Sequence, residues 1–527
     1  MVCTVNYTDV IQKALKALDK KNFALIMHSG SFPAAAGENT GFGTINSNGG
    51  REVIDYAKGI FNAIQLGPAG KTKSCDSSPY TGTIFSGNPL FIDLKQLTGN
   101  EWNNILSVET YSRIVENNPN KDVNKTAYSY IYKQQNEALE EAWRNFKEKG
   151  SEALKKEFET YKIENDYWLD KDSLYEALSI EHGNDYWPLW NSETDKNLFN
   201  PKSTEEKIEF SKRINEISKK YEDEIDKYKF IQFVLNKQND KTREYAKQAG
   251  IKMIADRQVA FSDRDTWAYQ SLFLEGWMLG CPPDYFAEDG QLWGNPLYDW
   301  AYHKRTNYAW WVRRIRHLCS IYDLLRIDHF RGFAGYYAIP YGNKTAEGGR
   351  WRTGPGYALF AAIKKKLGEP RIIAEDLGFL TDDVNALLRK CGYPGMKVLE
   401  FGFDSRDGGD YRPHSYPTNC IAYTGTHDNE PVDGWFGTAL PDDIKRAIQY
   451  LNLTKEEGMN WGMMRGIWSS AADLAVVQAQ DLLGLGHESR MNTPSTLGGN
   501  WCWRAKRGAF NDRLAVKLHD LTELYGR

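Results

Sequence analysis

The chain has 527 residues, 41% hydrophobic and 26% charged, an ordinary folded composition that excludes a disordered, collagen-like or repeat-built protein. Lys and Arg number 66 against 70 Asp and Glu, and a net charge of −4 argues against nucleic acid as the partner, which needs a clustered basic excess. No apolar run reaches the ~18 residues of a membrane span, and the N-terminal stretch lacks the apolar core of a signal peptide. A cytoplasmic protein with no membrane partner is therefore expected. Seven cysteines lie widely spread with no CxxC pair, which fits free thiols rather than a disulfide frame or a zinc site. Aromatic residues reach 13%, enough to serve a ligand with flat apolar faces such as a sugar or an unpaired base.

In chain order, the first short apolar run is 23–27, followed by His28, Ser29 and Gly30. The second, 61–66, is followed by Gly67 and Pro68. Residues 134–228 are dense in Lys and Glu, with apolar residues recurring every three and four positions, the signature of amphipathic helices. Their polar faces carry both signs, so they read as a solvated helical subdomain and not a membrane-surface helix, which wants a basic face. Trp168, Trp187 and Trp190 are expected to pack this insertion onto the barrel. Apolar runs then recur at 252–255 before Asp256, at 324–327 before Asp328, at 371–374 before Glu375, and at 420–423 before the turn ending in Asp428. Helical patterns at 311–325 and 384–390 lie among them. Short buried strands alternating with helices are βα units. Eight such units close a barrel, and six strands can be placed. The expectation is an α/β chain folded as a single (β/α)8 TIM barrel over 1–527. It carries a charged helical insertion at about 134–228 and an aromatic loop at about 280–300.

Three acids sit where a strand should end. Asp328 lies in RIDHFRGF (326–333), Glu375 in IIAEDLG (372–378) and Asp428 in YTGTHDN (423–429). In a βα barrel the C-terminal strand ends hold the active site, so acids from three strands converge at one mouth. Converging carboxylates without a metal suit glycosidic bond exchange: one attacks the anomeric carbon, and a second, protonated, gives its proton to the leaving oxygen. The acid needs a raised pKa and the nucleophile must stay ionised. Arg326 is two residues before Asp328 and shares its strand face, so its charge holds Asp328 ionised. A single acid after a strand is ordinarily a helix cap. Three of them, attended by Arg326, His329 and His427, weigh toward catalysis. No His pair has the helical spacing of a zinc site, so no metal is expected.

These motifs resemble the 4-α-glucanotransferases of the amylomaltase (disproportionating enzyme) type, glycoside hydrolase family 77. The resemblance runs from about residue 23 to 504 and is weakest across the charged insertion. LGPAG (66–70), SSPY (77–80), FSGNPLFIDL (85–94), PPDYFAEDGQLWGNPLYDW (282–300) and LGLGHESRMNTPSTLGGNWCWR (483–504) complete a highly specific pattern. It implies a (β/α)8 barrel with inserted, largely helical subdomains, acting on α-1,4-glucans by a retaining double displacement. Asp328 matches the family nucleophile, Glu375 the general acid/base and Asp428 the transition-state stabiliser. Arg326 and His427 match the arginine and histidine around the −1 sugar, and Asp256 an acid on an earlier strand. Tyr80 matches the tyrosine stacked on the −1 ring. Asp284, Tyr285, Phe286, Gln291 and Trp293 match the loop over the acceptor side, and Asn429 joins the substrate-binding set through the THDN motif. Malto-oligosaccharides and α-1,4-glucans are the implied partners, and no cofactor is implied. The chain departs from the pattern at Arg257, where a proline is usual, in the rebuilt stretch 70–76, and at Glu430-Pro431, where an acid and threonines are usual.

The closest rival is an α-glucan hydrolase of the same clan, which shares the three acids. A rival of another class is a non-catalytic glucan-binding protein, which would have no use for an arginine-supported nucleophile. Transfer wins over hydrolysis only if an acceptor is pre-positioned: water stands at ~55 M, while well-oriented groups reach effective molarities of ~10⁵ M or more. The aromatic stretch 284–300 offers both exclusion of water and stacking. Oligomeric state and preferred glucan length are not legible in the sequence.

Overall fold

The computed structural model describes residues 22–283, 288–378, 380–405, 411–494, 496 and 498–527. In chain order the strands are β1 (Phe23–Ile26), β2 (Ala63–Gln65), β3 (Lys252–Arg257), β4 (Phe273–Cys281), β5 (Gln291–Tyr298) and β6 (Leu324–Ile327). They continue with β7 (Gly335–Pro340), β8 (Arg350–Thr353), β9 (Ile372–Ala374), β10 (Gly395–Val398), β11 (Cys420–Tyr423) and β12 (Leu474–Gln478). Eight of these form one parallel sheet in the order β10-β11-β12-β1-β2-β3-β6-β9. The Ala374 N–H donates to the Pro394 carbonyl at 2.9 Å and draws β9 toward the start of β10, so the sheet is a nearly closed (β/α)8 barrel.

Alternation along each strand divides two cores. Ala24, Ile26, Ala63, Ile254, Ile373, Met396, Val398, Ile421, Tyr423, Leu474 and Val476 fill the barrel interior. Their neighbours Phe23, Leu25, Ile64, Met253, Leu325, Ile327, Ile372 and Val477 face the surrounding helices. The same period of two sends Asp256 on β3 and Arg326 on β6 inward, and the two strands pair with these residues in register.

Six strands lie where the apolar runs place them. β10 and β12 went unplaced: GMKV is four residues with a glycine and a lysine, and a short apolar run such as LAVVQ cannot be told from a helix segment by periodicity. The helix expected at 311–325 is Ala309–Ile321; the chain becomes extended at Tyr322, because Leu324 must pair with Ile254 of β3 and the Asp323 carboxylate accepts the Met253 N–H at 2.9 Å.

Between β2 and β3 run the helices Tyr128–Lys149, Glu152–Glu164, Asp166–His182, Thr204–Lys220 and Glu222–Gln248. Trp168 reaches the barrel layer, stacked 6.4 Å from Phe85 and edge-on to His317 at 5.7 Å. Trp187 and Trp190 pack with Tyr175 and Phe210 in a separate core that takes in Trp267 from the helix Asp263–Ala268 after β3, and Trp187 Nε1 donates to Thr266 Oγ1 at 3.1 Å, so both also join the insertion to that segment. A second, antiparallel sheet, β5-β4-β7-β8, rises from the segments flanking β6. Its inner face, with Leu279, Leu297, Tyr336 and Ala338, packs against Trp293 and Trp300 beside the barrel mouth. Among the described residues no helix is long and apolar enough to cross a membrane.

Candidate active site

The site is built from strand ends. Asp256 and Arg326 stand side by side on β3 and β6, and Arg326 Nη1 donates to both Asp256 oxygens at 2.8 and 2.7 Å. The same Nη1 donates to Asp328 Oδ1 at 3.0 Å. Asp328 follows β6 directly, and its N–H donates to the Arg257 carbonyl at 3.1 Å, so the backbone that holds the carboxylate is itself tied to β3. Arg257 is buried with its guanidinium 4.7 Å from the ring of Trp311 and 5.3 Å from that of Phe333. The proline usual at this position is thus replaced by a cation held between two rings behind the Asp328 turn.

Glu375 follows β9. Its two carboxyl oxygens accept the backbone N–H groups of His329 at 2.7 Å and Leu377 at 2.8 Å. Burial pushes Glu375 up to about 7; Arg326 opposes the shift and the charge of Asp328 adds to it. The site therefore holds a carboxyl that is protonated below neutrality.

Asp428 ends the turn after β11 and faces solvent, with 47% of its side chain exposed. Asn492 Nδ2 donates to its Oδ1 at 2.6 Å, and His427 Nε2 stands 3.3 Å from its Oδ2. Burial opposes its charge, but His427 and Asn492 hold its carboxyl well below the usual carboxylate range. His427 is raised by Asp428 against the effect of burial. Tyr80 donates its hydroxyl proton to Asp256 Oδ2 at 2.6 Å, and His427 Nδ1 stands 3.1 Å from that hydroxyl while Nε2 faces the Asp428 carboxylate. Tyr80 lies in the short turn Pro79–Thr81, its ring 4.5 Å from His427 and 5.6 Å from Trp501.

Asp256, Arg326, Asp328, Glu375, His427, Asp428 and Tyr80 thus meet at one mouth. Trp293, on β5, reaches the same place edge-on to His329 at 4.9 Å, its indole N–H bonded to Gln291 Oε1 at 2.9 Å. Asn429 is turned inward: its Oδ1 accepts the N–H and hydroxyl of Thr426, both at 2.9 Å, so it shapes the turn. Asp284, Tyr285 and Phe286 lie outside the described residues.

Four further residues belong to the cluster. His28, at the end of β1, is buried between His427 and Trp501 at 5.3 Å from each, with no hydrogen-bond partner among the described residues. Its signal in the sequence is the one that marks the acids, a polar residue straight after an apolar run. Arg490, Asn492 and Trp501 sit in the stretch 483–504, whose motif carries the resemblance but whose roles no spacing reveals. Among the described residues no group of His, Cys, Asp and Glu is disposed to hold a metal ion.

A parallel βα barrel with a buried arginine at its mouth, and carboxyls there that their surroundings push in opposite directions, Glu375 up and Asp428 down, defines an enzyme built for acid–base and carboxylate chemistry. Residues 28–510 match the family model for 4-alpha-glucanotransferase, which spans most of the chain. The 4-alpha-glucanotransferase of Clostridium butyricum is 41% identical, with 88% of this chain and 93% of that one covered. The chloroplastic/amyloplastic 4-alpha-glucanotransferase of Solanum tuberosum is 34% identical over 99% of this chain and 89% of that one. The solved structure of the amylomaltase of Streptococcus agalactiae, in complex with acarbose, superposes with a TM-score of 0.87 at 31% identity, covering 96% of this chain and all of that one. The chain belongs to the 4-alpha-glucanotransferase family. Its activity is glucan transglycosylation, and α-glucans are its substrates, which decides between the transferase and hydrolase expectations.

Proposed function

We propose that transfer proceeds by a retaining double displacement with Asp328 as nucleophile, Glu375 as general acid and then base, and Asp428 as the stabiliser of the cationic transition state. The observation that carries this reading is the contrast between the surroundings of the two carboxyls. Arg326 touches Asp328 at 3.0 Å and supplies a fixed positive charge, while burial pushes Glu375 up to about 7. One group is thereby equipped to attack and the other to donate a proton. Asp428, held ionised and half open to the cleft, supplies negative charge where the oxocarbenium ion develops. Arg326, His427 and Asp256 hold hydroxyls of the −1 sugar, and Tyr80 offers its ring face. The donor is a malto-oligosaccharide, or a chain of starch or glycogen, and the acceptor is the 4-OH of a glucan or glucose. The cysteines among the described residues are free thiols, which suits a reducing compartment such as the cytoplasm.

Incubation with maltotriose tests the reading. A ladder of shorter and longer products at constant total reducing ends is expected. Rising reducing ends with only shorter products would mean water is the acceptor.

Trp293 of the aromatic stretch meets the nucleophile loop edge-on at His329. Trp293→Ala is expected to raise the ratio of hydrolysis to transfer severalfold, because it removes an acceptor-stacking face and admits water. The ratio of glucose released to oligosaccharide transferred measures it, and an unchanged ratio would remove Trp293 from the acceptor side.

A further inference from the structure

Arg490 uses every edge of its guanidinium on the loops that frame Asp428. Its Nη2 donates to the Asp428 main-chain carbonyl at 2.6 Å. Its Nε donates to the Asn492 carbonyl at 2.9 Å. Its Nη1 donates to Glu430 Oε1 at 2.5 Å. Asn492 completes the ring: its side-chain amide donates to Asp428 Oδ1 at 2.6 Å, and its N–H donates to the His427 carbonyl at 3.0 Å. One cation thus ties the turn after β11 to the loop after β12, and both ends of the tie converge on a single carboxylate.

The anchor beneath it is tight. Glu430 is nearly buried, with 9% of its side chain exposed, and its carboxylate also faces His487 Nδ1 at 2.9 and 3.1 Å. Gln478, the last residue of β12, donates to the Glu430 carbonyl at 3.3 Å. A Cβ at Gly434 would lie 2.7 Å from Glu430 Oε2 and 3.0 Å from the His487 nitrogen, so a glycine is needed for this carboxylate to keep its seat.

We propose that Arg490, seated on Glu430, is a positioning residue for the transfer reaction: it fixes the Asp428 carboxylate in place by holding both that residue's backbone and the backbone of Asn492, whose side chain grips the carboxylate. The proposal rests on the reading of Asp428 as transition-state stabiliser. Arg490 touches no reacting atom. It acts through geometry, and a planar fork with donors on three edges suits that task where an ammonium does not. Displacing a catalytic group by about 1 Å costs on the order of 10²-fold in rate.

The test uses R490M and D428N, singly and combined, with E430Q as a gentler second way to loosen the anchor should R490M fail to fold. R490M is expected to lower kcat on maltotriose by roughly 10²-fold while KM stays within about twofold. The loss should be as large on α-maltosyl fluoride, whose leaving group needs no proton, which separates an effect on Asp428 from one on Glu375. Affinity for acarbose, a cationic inhibitor, is read by calorimetry in all four proteins and does not depend on turnover. R490M is expected to weaken acarbose about tenfold in the wild-type background and to have no further effect in the D428N background. Equal losses in both backgrounds, an unchanged kcat in R490M, or recovery with the fluoride donor would overturn the proposal. If D428N alone keeps wild-type turnover, the reading of Asp428 fails instead, and the single variant reports that separately.

Discussion

Asp328→Asn is expected to lower turnover of maltotriose by on the order of 10⁴-fold or more, the scale seen when a nucleophile is removed from a catalytic unit. That is at least about 5 kcal/mol of transition-state stabilisation. The substitution keeps the shape of the side chain and removes only the attacking charge. It should leave the fold intact, because Arg326 keeps its contacts at 2.8 and 2.7 Å to Asp256 and is not left as an unpaired buried cation. The measurement is kcat on maltotriose beside a thermal melt. Activity above a hundredth of wild type, with a melting temperature within a few degrees, would show that Asp328 is not the nucleophile. Loss of both activity and fold would instead mean that Asp328 is needed to balance Arg326.

The second large effect belongs to Glu375. Its carboxyl titrates at about 7, so the proton it must donate is present below that pH and lost above it. The kcat/KM profile on maltotriose is therefore expected to fall as pH rises through about 7, while the acid side is limited by carboxylates that must stay ionised. In Glu375→Gln the alkaline limb should vanish along with most of the activity, a loss of roughly 10²–10⁴-fold for general acid–base catalysis. α-Maltosyl fluoride should restore the first step, because fluoride leaves without a proton. The second step still lacks its base, so fluoride release is expected as a burst of about one equivalent followed by slow turnover. An alkaline limb that persists in this variant would assign the titration to another group. His427 is the group to examine then, since Asp428 raises it against the effect of burial.

Asp328 and Glu375 were legible because each directly follows a short apolar run, Asp428 because it ends the turn after one, and Arg326 because it precedes Asp328 by two positions; such runs are buried strands whatever surrounds them. Period-two alternation also placed Arg326 and Asp328 on one face, and the 3.0 Å contact realises it. The same reasoning did not reach β10 or β12, nor the place where the helix before β6 ends. In each case a neighbouring strand's register decided the element: Gly395 through Val398 pair with Cys420 through Tyr423, and Leu324 pairs with Ile254. Trp187 and Trp190 were visible as large apolar side chains, but which core they join depends on how the helices fold back on one another.

What the sequence determined by itself is the chemistry: the residue types at the strand ends, their alternation, and the motifs that carry the resemblance. These are local properties, set by two or three neighbouring positions. The tertiary structure alone decided the partnerships that give those residues their charge states. Asp256 meets Arg326 through the pairing of β3 with β6, across 70 positions of sequence. Glu375 is raised by burial among groups from other strands, and His427 is raised by Asp428 and meets Tyr80, from far earlier in the chain, whose hydroxyl donates to Asp256. Arg490 reaches Asp428 across 62 positions in the same way. Protonation and orientation depend on distance and dielectric in three dimensions, and spacing along the chain carries neither.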